Sequence, residues 1–173
     1  MNNYVETALA FGAKNAAIVA VDQIALEAKF RELCASNACG MYGRCWTCPP
    51  DIGEIDALME KLRSYRSALV YQTIFPLEDS FDFEGMMEAG RCHNELVQKL
   101  RKEIPEGLHL GAGGCKVCSP CAKQSDEPCR YPDRAIASLE AHGVNVSKLA
   151  ALAGMKYING ANTVTYFGAI FFE

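Results

Sequence analysis

Ala68-Leu-Val-Tyr-Gln-Thr-Ile-Phe75 is the stretch that decides the fold. Val70, Tyr71, Thr73, Ile74 and Phe75 are β-branched or aromatic, so the segment reads as a strand. Just upstream, Ile55, Leu58, Met59 and Leu62 recur at helical spacing, so Glu54–Tyr65 reads as a helix. Downstream, Phe83–Lys102 is helical in pattern and Pro105 marks its end. Working outward, Ala16–Val21 is a buried strand, Leu108–Gly111 a brief one, and Thr163–Phe172 a last strand rich in Thr, Val, Tyr, Phe and Ile. Helices are expected over Asn2–Phe11, ending near Gly12, and from an Asp22 N-cap to about Leu33, with Leu26, Phe30 and Leu33 on one face. Two short ones, Arg134–His142 and Ser147–Ala153, are separated by Gly143. Strands thus alternate with helices. The pattern predicts an α/β (or α+β) fold, one domain over residues 1–173, with a sheet of about four strands and packed helices. Two cysteine-rich segments fall between the regular elements, and no repeat, linker or low-complexity stretch interrupts them.

The 173 residues are enough for a sizeable core. Half are hydrophobic and 22% are charged, the balance of a soluble globular protein. The net charge of −4 argues against a nucleic-acid surface, which needs clustered Lys and Arg. The mildly basic Lys61–Arg66 stretch reads as the wet face of a helix. No segment approaches the roughly 18 apolar residues of a membrane span. Met-Asn-Asn-Tyr-Val-Glu lacks the basic start and apolar run of a signal peptide. A cytoplasmic protein is expected, and nine cysteines in a reducing compartment point to metal or redox chemistry, not to disulfides.

Eight of the nine cysteines lie in two sets. The downstream set is Cys115-x2-Cys118-x2-Cys121-x7-Cys129. Bacterial ferredoxins wrap a cluster with the same Cys-x2-Cys-x2-Cys run. Zinc favours two separated Cys-x2-4-Cys pairs that close a tetrahedron, so it is the alternative reading. Gly113 and Gly114, in Gly111-Ala-Gly113-Gly114, let the backbone approach a cofactor and aim N–H groups at sulfur. A phosphate-binding turn is a weaker account of them, because the cysteine segment begins at once and no helix opens.

The upstream set is Cys34-x4-Cys39-x5-Cys45-x2-Cys48, within a Gly- and Pro-punctuated loop expected over Cys34–Pro50. Its spacing matches no single common ligand pattern. Cys48-Pro49-Pro50 is similar to the Cys-Pro that supplies a fourth ligand in ferredoxins. Two ligations are open: each set binds its own centre, or an upstream thiol such as Cys48 crosses over to complete the downstream one. Buried unligated thiols fit Cys45 and Cys92 best, since Cys is a common small core residue.

Three motifs occur in order between about Cys34 and Gly154. They are Cys34…Cys39-Gly-Met-Tyr42-Gly43…Cys48-Pro49-Pro50, then Gly111-Ala-Gly113-Gly114-Cys115…Cys118…Cys121…Cys129-Arg130-Tyr131-Pro132, then Ser138-Leu139-Glu140-Ala141-His142-Gly143-Val144-Asn145-Val146. Together they resemble a bacterial and archaeal family of predicted metal-binding proteins, a domain of unknown function. The resemblance implies metal binding, with iron–sulfur as the expected form, and no settled reaction. Cys45 stands where that family pattern has no cysteine.

His93, His109 and His142 are isolated, so a surface or supporting role is expected over ligation. Trp46, between Cys45 and Cys48, either shields a cluster from water or simply packs. Glu140 and His142 lie near the downstream loop but make no acid–base pair without a pocket. No Ser/His/Asp order or dinucleotide fingerprint is present. Three functions remain: an iron–sulfur protein carrying one or two clusters, expected as [4Fe-4S], that passes electrons to a redox partner; a zinc-stabilised or metal-handling protein; and a cluster enzyme with an open iron site. The oligomeric state is not legible.

Overall fold

Two ten-residue strands carry the sheet. In the computed structural model, which describes residues 2–173, β2 (Ser67–Pro76) and β5 (Thr163–Phe172) pair antiparallel over their full lengths, Ser67 opposite Phe172 and Pro76 opposite Thr163. β1 (Asn15–Ala20) adds antiparallel to the other edge of β2. β3 (Leu108–Gly111) pairs antiparallel with β5, and β4 (Ala137–Ser138) runs parallel to β3. The order is β1-β2-β5-β3-β4, a mixed five-stranded sheet. The chain is therefore α+β: apart from the β3–β4 pair every neighbour is antiparallel.

β2 sends Ala68 and Val70 into one core and Leu69 and Tyr71 into the other, all fully buried. Both faces are covered, which is why this strand reads as an unbroken apolar run and not as an alternation. One face is covered by α1 (Asn2–Ala10) and α4 (Phe83–Glu103), through Ala8, Leu96, Val97 and Leu100. The other carries α3 (Ile55–Arg63) and α5 (Val146–Leu152), through Leu62, Leu149 and Ala150. Asp82 and Asn145 cap α4 and α5 by accepting from the N–H of Gly85 and Lys148. Gly168 sits opposite Tyr71, and a Cβ there would lie 2.4 Å from the phenol ring, so only glycine leaves that ring its place.

Two helix expectations are corrected. The helix expected from Asp22 to Leu33 is a three-residue 3-10 turn, Val21–Gln23, an extended stretch, and then α2 (Phe30–Ala35). Residues 25–27 bond instead to 143–145: Glu27 N–H donates to the Gly143 carbonyl, Asn145 N–H to the Ala25 carbonyl, and Leu26 bridges Val144. A helix would withhold those backbone groups. One consequence is that Cys34 lies on α2 and not in the loop expected from residue 34. The helix expected over Arg134–His142 is β4 followed by a 3-10 turn, Glu140–His142. Ile136 packs in one core while Ala137 and Leu139 pack in the other, a two-sided burial that a strand provides. This also raises the strand count from about four to five.

Candidate metal centre

The two cysteine segments meet. The downstream one leaves β3 after Gly111 and returns at β4. The upstream one links α2 to α3. Five contacts stitch them together. Arg44 donates to the Gln124 side chain at 2.9 Å, the Trp46 indole N–H to the Glu127 carbonyl at 2.9 Å, and the Cys115 N–H to the Thr47 hydroxyl at 3.2 Å. Lys123 pairs with Asp51 at 3.1 Å and stands over the Trp46 ring at 4.6 Å. Gly114 allows the close approach: a Cβ there would lie 3.3 Å from the Cys48 sulfur. Gly113 has a left-handed backbone, φ +69°, which suits glycine at this turn.

Cys115, Cys118, Cys121 and Cys129 line one chamber, as their spacing suggests, and Cys45 lines it with them. Trp46, Thr47, Val117, Tyr131 and Ala135 complete its wall. Cys45 is fully buried, so burial alone is satisfied, but its place on the chamber wall makes it more than a packing residue. Trp46 forms part of that wall.

The remaining thiols form a second group. Cys34 is half-buried on α2, Cys39 is exposed, and Cys48 is half-buried beside Gly114. Their sulfurs lie within electrostatic reach of one another. The two groups touch where Cys45 and Cys48 face each other. Cys48's S–H stabilises a Cys45 thiolate and holds the Cys45 thiol down to about 4, helped by Thr47 and the Cys115 N–H. The same bond, then burial, pushes Cys48 up, so the pair loses one proton easily and keeps the other. Burial also pushes the Cys115 and Cys34 thiols up, while N–H groups of Val117 and Ile136 favour the Cys115 thiolate. N–H groups aimed at sulfur are what a thiolate cofactor uses to set its charge balance.

Among the described residues, no three His, Cys, Asp or Glu side chains converge on one point tightly enough to hold a single ion. The donor set around the chamber is nonetheless all thiol, and soft thiolates select zinc, copper(I) or iron–sulfur groups. The residues present therefore fit a thiolate-held group.

Of the two roles expected for the histidines, surface or supporting, the structure gives the supporting one. None is at the surface: His93, His109 and His142 are all buried. His93 meets Thr73 at 2.8 Å, His109 meets the Ile104 carbonyl at 2.8 Å, and His142 faces the Ser138 carbonyl at 3.3 Å. Burial pushes all three toward the neutral form, His93 and His142 to about 4. They support the fold and line no part of the thiol chamber. Cys92 lies on α4 beside Glu88, apart from both thiol groups. Arg31 is a residue that sequence reasoning missed. It stands one helical turn before Cys34 on α2, and that i,i+3 spacing was the signal available.

The family described as "Predicted metal-binding protein (DUF2284)" matches residues 17–172. The chain belongs to this family. The match covers both cysteine groups and all of the sheet but Asn15 and Ala16 of β1, so the family's description as predicted metal-binding applies to the fold that carries the chamber. No curated protein and no solved structure matches the chain. Among the described residues, no helix is long and apolar enough to cross a membrane.

Proposed function

We propose that this DUF2284 protein is an iron–sulfur redox protein that carries electrons to a partner protein. The observation that carries the reading is the shared pocket: four thiols spread over fifteen residues, Cys115, Cys118, Cys121 and Cys129, line one space, and no three of them converge tightly enough to hold a single ion. Zinc holds its sulfurs at about 2.3 Å, which brings four of them to about 3.8 Å from one another. A cube of iron and sulfide keeps its thiolates farther apart, with the cluster between them. A [4Fe-4S] cluster is the form that the triplet fits best. Such a group supplies one-electron chemistry, at a potential set by hydrogen bonds, charge and water access.

The chain's own residues would do the tuning. Val117 and Ile136 direct N–H groups to Cys115, and Trp46 and Lys123 cover one side of the chamber. Cys34, Cys39 and Cys48 would hold a second centre, and the Cys45–Cys48 contact would place the two in direct neighbourhood. Neighbouring centres favour electron passage, and a redox partner in the cytoplasm is the expected recipient. The same three-thiol group favours a second reading, an enzyme with an open iron position, because it offers one thiol fewer than a cluster has irons. A structural or metal-handling zinc protein is the remaining alternative.

The test is anaerobic purification with iron, acid-labile sulfide and zinc analysis, followed by reduction and electron paramagnetic resonance. A brown protein with iron, sulfide and a reversible one-electron signal is expected. Stoichiometric zinc without sulfide would sink the proposal. So would a centre that stays redox-silent between about −700 and +450 mV, the span open to such clusters.

A further inference from the structure

The start of α4 leaves large apolar side chains outside both cores. Phe81, Phe83 and Met87 are 77%, 69% and 77% exposed. Phe83 and Met87 stand four residues apart on α4 and share a face of it, while Ala89, His93, Leu96 and Leu100 of the same helix are buried. Phe81 joins them through the turn that precedes the helix. Phe83 N–H donates to the Phe81 carbonyl at 2.8 Å, and Phe81 N–H donates to the Asp79 carboxylate at 2.7 Å. The Asp82 carboxylate accepts from the N–H groups of Glu78 and Gly85. These bonds build the turn that presents Phe81. Three side chains of this size at these exposures bare roughly 400 Å² in one place, the scale at which an apolar patch marks an interaction surface.

The patch is set in negative charge. Residues 77–90 hold five carboxylates, Glu78, Asp79, Asp82, Glu84 and Glu88, and no Lys, Arg or His, so this segment carries −5 where the whole chain carries −4. Asp79 and Asp82 are turned to the N–H groups of the turn, and Glu88 pairs with Arg91. Glu78 and Glu84 are exposed and, among the described residues, have no cationic partner. That charge selects among occupants. A second copy of the chain would set five carboxylates against five, and the apolar patch is about half of the roughly 800 Å² per partner that a stable interface buries. An anionic membrane surface would be repelled in the same way. We propose that this face docks a basic, amphipathic segment of a partner protein. Its apolar side chains would cover Phe81, Phe83 and Met87, and its Lys or Arg side chains would pair with Glu78 and Glu84. An area of this size makes a weak, reversible contact. The contact needs no metal, so it stands apart from the iron–sulfur reading.

The test is fluorescence anisotropy with the full chain and, as the probe, a short dye-labelled peptide of Leu and Lys patterned as an amphipathic helix. Saturable binding that added salt weakens is expected. A Lys peptide of equal charge without Leu should bind roughly tenfold or more weakly, and a Leu/Glu peptide of the same pattern should not bind. Phe83→Ser combined with Met87→Ser should weaken the Leu/Lys peptide by roughly tenfold or more, the scale of losing apolar anchors. Glu78→Gln combined with Glu84→Gln should weaken it and flatten its salt dependence. Should the Ser variant not fold, the Gln variant and the two control peptides decide. Equal affinity in wild type and both variants would overturn the inference, and so would equal binding of the three peptides. Sedimentation of the wild type alone tests the other occupant. A dimer that Met87→Ser dissolves would put a second copy on the patch and overturn the basic partner. Each of these outcomes leaves the iron and sulfide content, and the reading that rests on it, untouched.

Discussion

His93 should make the protein acid-sensitive between pH 7 and 5 by an amount the structure sets. The ring lies 3% exposed between Tyr71 and Tyr166, with Thr73 on Nδ1. Its Nε2 has no partner of good geometry, although the Phe167 carbonyl faces it and weakly favours the proton. None of these neighbours is charged near neutrality, so burial dominates and holds His93 down to about 4. An unfolded histidine titrates near 6.5. Between those values the unfolded chain binds the extra proton, so stability falls as the pH is lowered. A gap of about 2.5 units at about 1.4 kcal/mol each sets a ceiling of roughly 3 kcal/mol, and about 2 kcal/mol of it is lost by pH 5. Urea unfolding at pH 7 and pH 5, for wild type and for His93→Gln in the same metal state, isolates this contribution, because the other acid-sensitive groups are common to both. The variant should be less stable at pH 7 but lose about 2 kcal/mol less on going to pH 5. Equal losses in the two proteins, within about 0.5 kcal/mol, would refute the reasoning.

Gly168→Ala should destabilise by about 1–3 kcal/mol or more, read as a lower urea midpoint, because the new methyl meets the fully buried Tyr71 ring. Cys129→Ala should lose the metal of the chamber and, with it, some stability, since binding is coupled to folding. If it keeps its metal while Cys48→Ala loses it, the crossover ligation is correct instead. Cys92→Ser should leave metal stoichiometry unchanged, as its thiol meets only Glu88 on its own helix; a clear drop in bound metal would contradict that. Trp46→Ala should speed metal loss to a chelator by roughly tenfold, the usual scale for a supporting residue, because it bares one side of the chamber and frees the Glu127 carbonyl; an unchanged rate would reduce Trp46 to packing.

By itself the chain determined its longest elements and the company its cysteines keep. β2, β5, α3 and α4 were legible because each is long enough for its own pattern to outweigh its surroundings: β-branched and aromatic runs buried on two faces, or apolar residues at helical spacing. The convergence of Cys115, Cys118 and Cys121 was legible too, since three-residue steps keep thiols together in any tight loop, whereas Cys129, eight residues further on, is brought to them by the fold. What tertiary structure decided lay in short segments with competing options. Residues 25–27 and 136–138 carry helix-compatible side chains. They are drawn extended because backbone partners at 143–145 and at β3 stand ready, and because Ile136 and Ala137 must reach opposite cores. The histidines look polar in the sequence, yet single hydrogen bonds, His93 with the Thr73 hydroxyl and His109 and His142 to the Ile104 and Ser138 carbonyls, let them be buried. The division of the upstream thiols is the clearest case. Cys45 and Cys48 are three residues apart, and only the meeting of the two loops over Gly114 puts Cys45 on the chamber wall and leaves Cys48 beside Gly114 in reach of Cys34 and Cys39. A side chain's direction at a loop crossing is set by what lies across from it, and that partner is some seventy residues away in the chain.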